Sequence, residues 1–217
     1  MAARIVTREQ VLSLCATLFA ENGYRATSLE LVGQRLGVTR QALYYHFRGK
    51  DDILMTLFDR LMHRFEAAVD VAEPDEGESR FAAMIRAHIG VAVQNVSLVA
   101  VLLHERPEIT RVRGAYANAR RREYAQRFVD AYAVGTQEGT LLPLEPWLAV
   151  GTVIGAINGV ARWYQQSSAS PSVVAQEIYT LVAGGFENPS GQGGVQPDAA
   201  AVHMDKPPST GTTVPVT

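Results

Sequence analysis

The chain has 217 residues, 47% hydrophobic and 19% charged, with a formal net charge of −2. That length holds one medium domain or two small ones with a proper core, and the composition excludes a wholly disordered or collagen-like chain. A single cysteine, Cys15, excludes a disulfide framework and a cysteine zinc cluster.

No charged-then-apolar leader opens the sequence, and the longest late uncharged run, Pro146 to Ala161, spans 16 residues and includes Asn158. It is too short and too polar for a membrane span, so the expectation is a cytoplasmic protein without a membrane partner. Charge is uneven: from Arg25 to Lys50 five basic residues (Arg25, Arg35, Arg40, Arg48, Lys50) stand against Glu30 alone, a local +4. Such a block either steers a polyanion or coats a solvated helical face, and charge alone does not choose.

Thr7 with Gln10, followed by Val11, Leu14, Cys15, Leu18 and Phe19, reads as a capped amphipathic helix that Gly23 ends. A second capping box, Thr27 with Glu30, opens a short helix carrying Leu29, Val32 and Leu36, and Gly37 stops it. A third short helix starts near Thr39. Lys50, Asp51 and Asp52 precede Ile53, Leu54, Leu57, Phe58, Leu61 and Phe65, a fourth helix running to about Val71 with its acids at the favourable end. Ala72 to Ser79, with Pro74, Gly77 and four acids, marks a domain boundary. Further helices are expected at Arg80 to Val96, Leu98 to Glu105, Thr110 to Glu138, Pro146 to Gln166 and Ser172 to Gly184. From Glu187 onward, 15 of 31 residues are Gly, Pro, Ser or Thr, a disordered tail on composition. The expected organisation is all-α with about nine helices: an amino-terminal unit at 1–48, a connecting helix at 49–72, a larger helical unit at 80–186 and the tail at 187–217.

The short helix, Gly37-Val38 turn and short helix have the geometry of a helix-turn-helix. On the second of these helices Arg40, Gln41, Tyr44 and Tyr45 fall within an arc of about 140°, with Ala42, Leu43 and Phe47 on the other side. Arginine bonds guanine and glutamine bonds adenine in the major groove, which admits a helix.

Thr27-Ser28, the run Leu43-Tyr44-Tyr45-His46-Phe47, Lys50, and Phe19 before Gly23-Tyr24 resemble the signature of the TetR family of bacterial transcription regulators over residues 4 to about 60. The resemblance implies a homodimer reading a palindromic operator in double-stranded DNA, usually as a repressor, and a carboxy-terminal ligand-binding and dimerisation domain whose small ligand releases the DNA. It carries Thr27, Tyr44, His46 and Lys50 onto phosphate-contacting positions, and Thr39, Arg40, Gln41 and Tyr45 onto positions that meet base edges. Two residues depart from the pattern: Gly33 stands where Ala is usual, and Gly49 where a Ser or Thr cap usually precedes the lysine.

Gly151, Gly155 and Gly159 recur every four residues, opposite Val150, Val153, Ile154, Ile157, Val160 and Tyr164, so a second helix or a partner chain can approach closely. With the helix carrying Val173, Val174, Ile178, Leu181 and Val182, this resembles the TetR dimerisation pair, a four-helix interface including Gly151, Gly155, Gly159, Val174 and Ile178. Tyr124, Phe128, Ala131 and Tyr132 form one helix face, with Arg120 and Arg121 a turn earlier. The face is either core beneath a solvated arginine run or an apolar cavity whose mouth holds an anion, to which Arg162 beside Trp163 adds a cation. His88 lines that pocket or is a structural histidine, and the same choice holds for His104-Glu105. Asn158-Gly159, Trp163-Tyr164 and Leu181 to Gly185 resemble TetR regulators of lipid or steroid catabolism that respond to acyl-CoA esters, implying a hydrophobic or amphipathic ligand.

The five histidines never take a metal-ligand spacing, and no GxSxG elbow, GxGxxG turn or P-loop occurs, so no enzyme and no cofactor is expected. Cys15 on an apolar face reads as core. A helical ligand-binding or interaction protein without sequence-specific DNA binding is the alternative class.

Overall fold

The computed structural model describes residues 6–164 and 169–188. The described residues form α1 (Arg8–Asn22), α2 (Leu29–Leu36), α3 (Arg40–Tyr44), α4 (Lys50–Asp70), α5 (Arg80–Gln94), α6 (Val96–His104), α7 (Arg106–Gln137), α8 (Pro146–Gly159), a 3₁₀ turn at Val160–Arg162 and α9 (Pro171–Ala183). The fold is all-helical, an amino-terminal helix-turn-helix followed by a larger helical domain. No single described helix is long and apolar enough to cross a membrane.

The Thr7–Gln10 capping box forms as read, and Gly23, at φ 81°, closes α1. The second box does not: Ser28, not Thr27, caps α2, its Oγ accepting from the Leu31 N–H at 3.1 Å. Thr27 is buried, its hydroxyl between the carbonyls of Leu18 (3.1 Å) and Gly23 (2.9 Å), because the end of α1 leaves acceptors bare there. Gly37, at φ 70°, makes the left-handed stop of α2. Gly33 has its own reason: a Cβ there would stand 2.8 Å from the Val38 carbonyl oxygen, so the turn between α2 and α3 closes tightly because the side chain is absent.

α4 buries Ile53, Leu54, Leu57, Phe58, Leu61 and Phe65 and packs on α1, α5, α6 and α7. α5 and α6 meet at 89° about Asn95, whose amide NH₂ donates to the Val91 carbonyl while its oxygen accepts from Arg64. α6 then packs on α1, so buried residues from Val6 to Phe186, on both sides of the 72–79 boundary, join in one cluster. α7 starts at Arg106, earlier than Thr110, because Pro107 suits a first turn. It breaks at Arg113 (φ −148°, ψ 53°), whose guanidinium covers the Tyr116 ring at 4.2 Å. α8 stops at Gly159, short of Gln166, and tightens into the 3₁₀ turn. The part of the expected tail at 189–217 lies outside the described residues, but Glu187 and Asn188 do not stray: Glu187 bridges to Leu141, and the Asn188 N–H donates to the Thr140 carbonyl at 3.0 Å.

Phe81 on α5 is fully buried and meets Tyr132 and Phe186 edge-to-face at 5.0 Å each, with Phe128 at 6.3 Å. This cluster ties α5, α7 and the segment after α9 together. Phe81→Ala is expected to lower unfolding free energy by about 3–5 kcal/mol, the range for deleting a buried aromatic, read from the urea midpoint.

Candidate functional site

The exposed side of α3 begins at Thr39, whose Oγ caps the helix by accepting from the Ala42 N–H at 3.3 Å. Arg40, Gln41, Tyr44 and Tyr45 are all exposed, while Leu43 and Phe47 lie in the core. Tyr45 stands out into solvent at 88% exposure, its ring edge-on to His46. Arg40 is held in readiness by neighbours of opposite character. Its Nε and Nη2 donate to the Tyr44 hydroxyl at 3.1 and 2.6 Å, and its Nη1 pairs with Glu30. Any planar acceptor that takes this guanidinium bidentately has to displace Glu30 or Tyr44.

Three residues expected at phosphates have partners inside the protein. Thr27 is buried, as above. The Lys50 ammonium donates to the carbonyls of Tyr24 (2.7 Å), Arg25 (3.2 Å) and Thr27 (2.9 Å) and lies 4.3 Å from the Tyr24 ring centre. All three of its protons are engaged, and burial lowers its pKa. His46 meets the Val6 carbonyl through Nε2 at 2.8 Å and so tethers the segment before α1. Ser28, exposed, is a cap. Arg48 is exposed beside the amino terminus of α4, where Gly49 offers no side-chain cap, and its guanidinium, like that of the exposed Arg35, is free of the ion pairs that hold Arg25 and Arg40.

The turn that Lys50 gathers is also gripped from behind. The Tyr24 N–H donates to Glu105 Oε1 at 2.8 Å, and the Tyr24 hydroxyl donates to Asp51. Arg25 meets Glu108 at 2.6 Å, and Arg111 joins Glu108 (2.8 Å) to Asp51 (3.0 Å). The Tyr24 hydrogen bond, followed by Arg111, holds the Asp51 carboxyl below its ordinary range. The α6–α7 junction is thereby bonded to the helix-turn-helix. By sequence none of these carboxylates has such a role: Asp51 reads there as an acid at a helix start, Glu105 as a neighbour of His104 near a ligand, and Glu108 carries no local signal.

The residues expected at a ligand separate. Arg120 is taken by Glu66 (2.7 Å) and Asp59 (3.0 Å) on α4, which corrects its assignment to the mouth of a cavity. Arg121, one step round the helix, has no carboxylate: half-buried, it sits over the Phe58 ring at 4.9 Å, and burial, then the neighbouring Arg106, lowers its pKa. Phe128 is core. His88, 2% exposed, stacks on Phe65 at 4.4 Å and meets the Tyr124 hydroxyl through Nδ1 at 2.9 Å. Arg162 and Trp163 are exposed, and Arg162 borders an open groove of about 580 Å³ between α6, α7 and α8. That groove is lined by Leu103, Arg106, Trp147, Ile154, Asn158 and the side of α8 that carries Gly151, Gly155 and Gly159. Leu103, Arg106, Trp147 and Asn158 are absent from the sequence-derived ligand set because only the fold brings three helices together there. On the dimer set, Gly151 and Gly155 are exposed, but Val174 and Ile178 are buried against α5; the large apolar residues that α9 exposes are Val173 and Leu181. No described group of His, Cys, Asp and Glu is placed to hold a metal ion.

Burial pushes the His88 pKa down to about 4 from 6.5. Between those values the unfolded chain binds the proton and the folded chain does not, so stability is full above pH 6.5 and falls as pH drops toward 4. The wild type is expected to lose about 3 kcal/mol more than His88→Phe over that interval, measured as urea unfolding at each pH.

Two family models match the chain: "Bacterial regulatory proteins, tetR family" over residues 11–56 and "Tetracyclin repressor-like, C-terminal domain" over 74–186. The chain is 27% identical over 187 residues to the HTH-type transcriptional repressor KstR2 of Mycobacterium tuberculosis, covering 82% of this chain and 92% of that one. It is 26% identical over 193 residues to the fatty acid metabolism regulator protein of Bacillus subtilis, covering 82% and 95%. The solved structure of the M. tuberculosis ketosteroid regulator KstR2 superposes with a TM-score of 0.71 at 23% identity, over 86% of this chain and 98% of that one. AibR, solved with isovaleryl coenzyme A and operator DNA, shares the fold with a TM-score of 0.67 at 20% identity, over 80% and 96%. With its helix-turn-helix and its helical domain both matched, the latter over more than half of the chain, the protein belongs to the TetR family of bacterial transcription regulators.

Proposed function

We propose that this regulator is a homodimeric repressor that binds a palindromic operator and is released by an amphipathic anionic ligand, an acyl-CoA ester of lipid or steroid catabolism. The observation that carries the reading is the exposed Arg40-Gln41-Tyr44-Tyr45 face on a helix-turn-helix bonded, through Tyr24–Glu105 and Arg25–Glu108, to the helices that line the groove. Family members are DNA-binding regulators, not enzymes.

For the ligand, the groove joins apolar Leu103, Trp147 and Ile154 to the cations Arg106 and Arg162, with Arg121 beside Arg106. A chain that is greasy along its length and phosphorylated at one end suits that lining. The named roles of the relatives, ketosteroid and fatty acid regulation, and the isovaleryl coenzyme A held by AibR lie in the same chemical class. For the dimer, Leu148 on α8 and Val173 and Leu181 on α9 are large apolar side chains left in solvent.

Fluorescence anisotropy against duplexes flanking the protein's own gene, with a scrambled control at two salt concentrations, tests the DNA reading. Tight, salt-sensitive preference for an inverted repeat is expected; equal binding to scrambled DNA overturns it. Arg40→Ala is expected to reduce discrimination between cognate and scrambled DNA, whereas Arg48→Ala weakens both alike and lowers the salt slope by about 1. Leu181→Asp is expected to shift the protein to monomer by light scattering and to abolish tight binding to the palindrome. A thermal-shift series with acyl-CoA esters of several chain lengths is expected to raise Tm with ligand concentration; no shift at any length counts against the ligand.

A further inference from the structure

His88 is a polar side chain in an aromatic core, between Phe65, Tyr124 and Phe128. Its Nδ1 lies 2.9 Å from the Tyr124 hydroxyl, and that hydroxyl, on a residue 7% exposed, has no other partner among the described residues. A buried phenol needs an acceptor for its one proton, so Tyr124 donates and Nδ1 accepts. Acceptance at Nδ1 fixes the neutral tautomer with its proton on Nε2. Nε2–H is therefore a buried donor that, among the described residues, makes no hydrogen bond of full geometry, the Asn158 side chain being the group near enough to interact with it. The Asn158 side chain lies beside it and, on its other side, lines the groove.

We infer that the groove's ligand bears an acceptor oxygen, the carbonyl of an acyl group, which the His88–Asn158 pair reads. Direction follows from the tautomer. Tyr124 O–H donates to His88 Nδ1, His88 Nε2–H donates to the Asn158 amide oxygen when the amide is drawn in, and the Asn158 NH₂ is left facing the groove as a donor. A ligand with a carbonyl at that depth completes the chain and relieves the orphaned Nε2–H; a ligand with a methylene there leaves it unmet. His88 and Asn158 are thus the specificity-determining residues, and Tyr124 is a positioning residue that sets the tautomer. The inference rests on the groove being the ligand site.

The test is a matched pair of probes, decanoyl-CoA and the thioether S-decyl-CoA, which differ in the carbonyl, titrated into the full chain by calorimetry. Wild type is expected to prefer the thioester by about tenfold, the worth of one buried hydrogen bond, and His88→Phe and Asn158→Leu to bind both probes alike. His88→Phe keeps the ring stacking; Asn158→Leu lies at the groove wall and serves if His88→Phe does not fold. Independently of any ligand, nitrogen-15 shifts of His88 are expected to show Nε2 protonated in wild type and a tautomer mixture in Tyr124→Phe. Equal affinity of wild type for the two probes, a thioester preference that survives both substitutions, or an Nδ1-protonated ring overturns the inference while leaving the groove as the ligand site. Binding of neither probe by wild type overturns the ligand reading, and this inference with it.

Discussion

The structure hangs on the turn at residues 23–25, where two halves of the chain satisfy neighbouring backbone groups, one the carbonyls and the other an N–H. α1 ends in Gly23, exposing carbonyls that Thr27 and Lys50 fill from the front, while Glu105 takes the Tyr24 N–H from behind. Buried or half-buried polar groups of this kind are expensive to leave unmet, so the turn can hold its shape only while α4 and the α6–α7 junction are both in place. The orientation of α3 follows from that turn through the short α2 and the Gly33 contact. An arrangement of charges at Arg25, Glu108, Arg111 and Asp51 then joins the surfaces at close to no net charge.

Much of the fold was legible because local signals and tertiary packing agree. The Thr7–Gln10 box, the glycine stops at Gly23 and Gly37 and the stripe in α4 are written in neighbouring residues, and each formed as read. What was misread depends on distant partners. Thr27 and Ser28 are both good caps, and the choice between them is made by the carbonyls of Leu18 and Gly23. Lys50 belongs to the family signature, but its protons are claimed by a turn 25 residues earlier in the chain.

The surfaces follow the same rule. Arg120 and Arg121 differ by one step round a helix, and the acids of α4 decide which is neutralised. On α9 the apolar residues run nearly all round, so periodicity could not say that Val174 and Ile178 turn inward while Val173 and Leu181 turn out; the packing against α5 decides. The groove wall needs α6, α7 and α8 at once, and no local pattern announces a convergence of three helices.

The break at Arg113 divides the 32-residue α7 into unequal arms. Its short arm carries Glu108 and Arg111, and its long arm carries Arg121 and the groove-lining Ala125. A helix stiff along its length transmits a push, but one whose hydrogen-bond ladder is interrupted concentrates its compliance at the interruption. The compliance of α7 is therefore concentrated at Arg113, between the arm whose Glu108 and Arg111 meet Arg25 and Asp51 and the arm that runs along α4 and the groove.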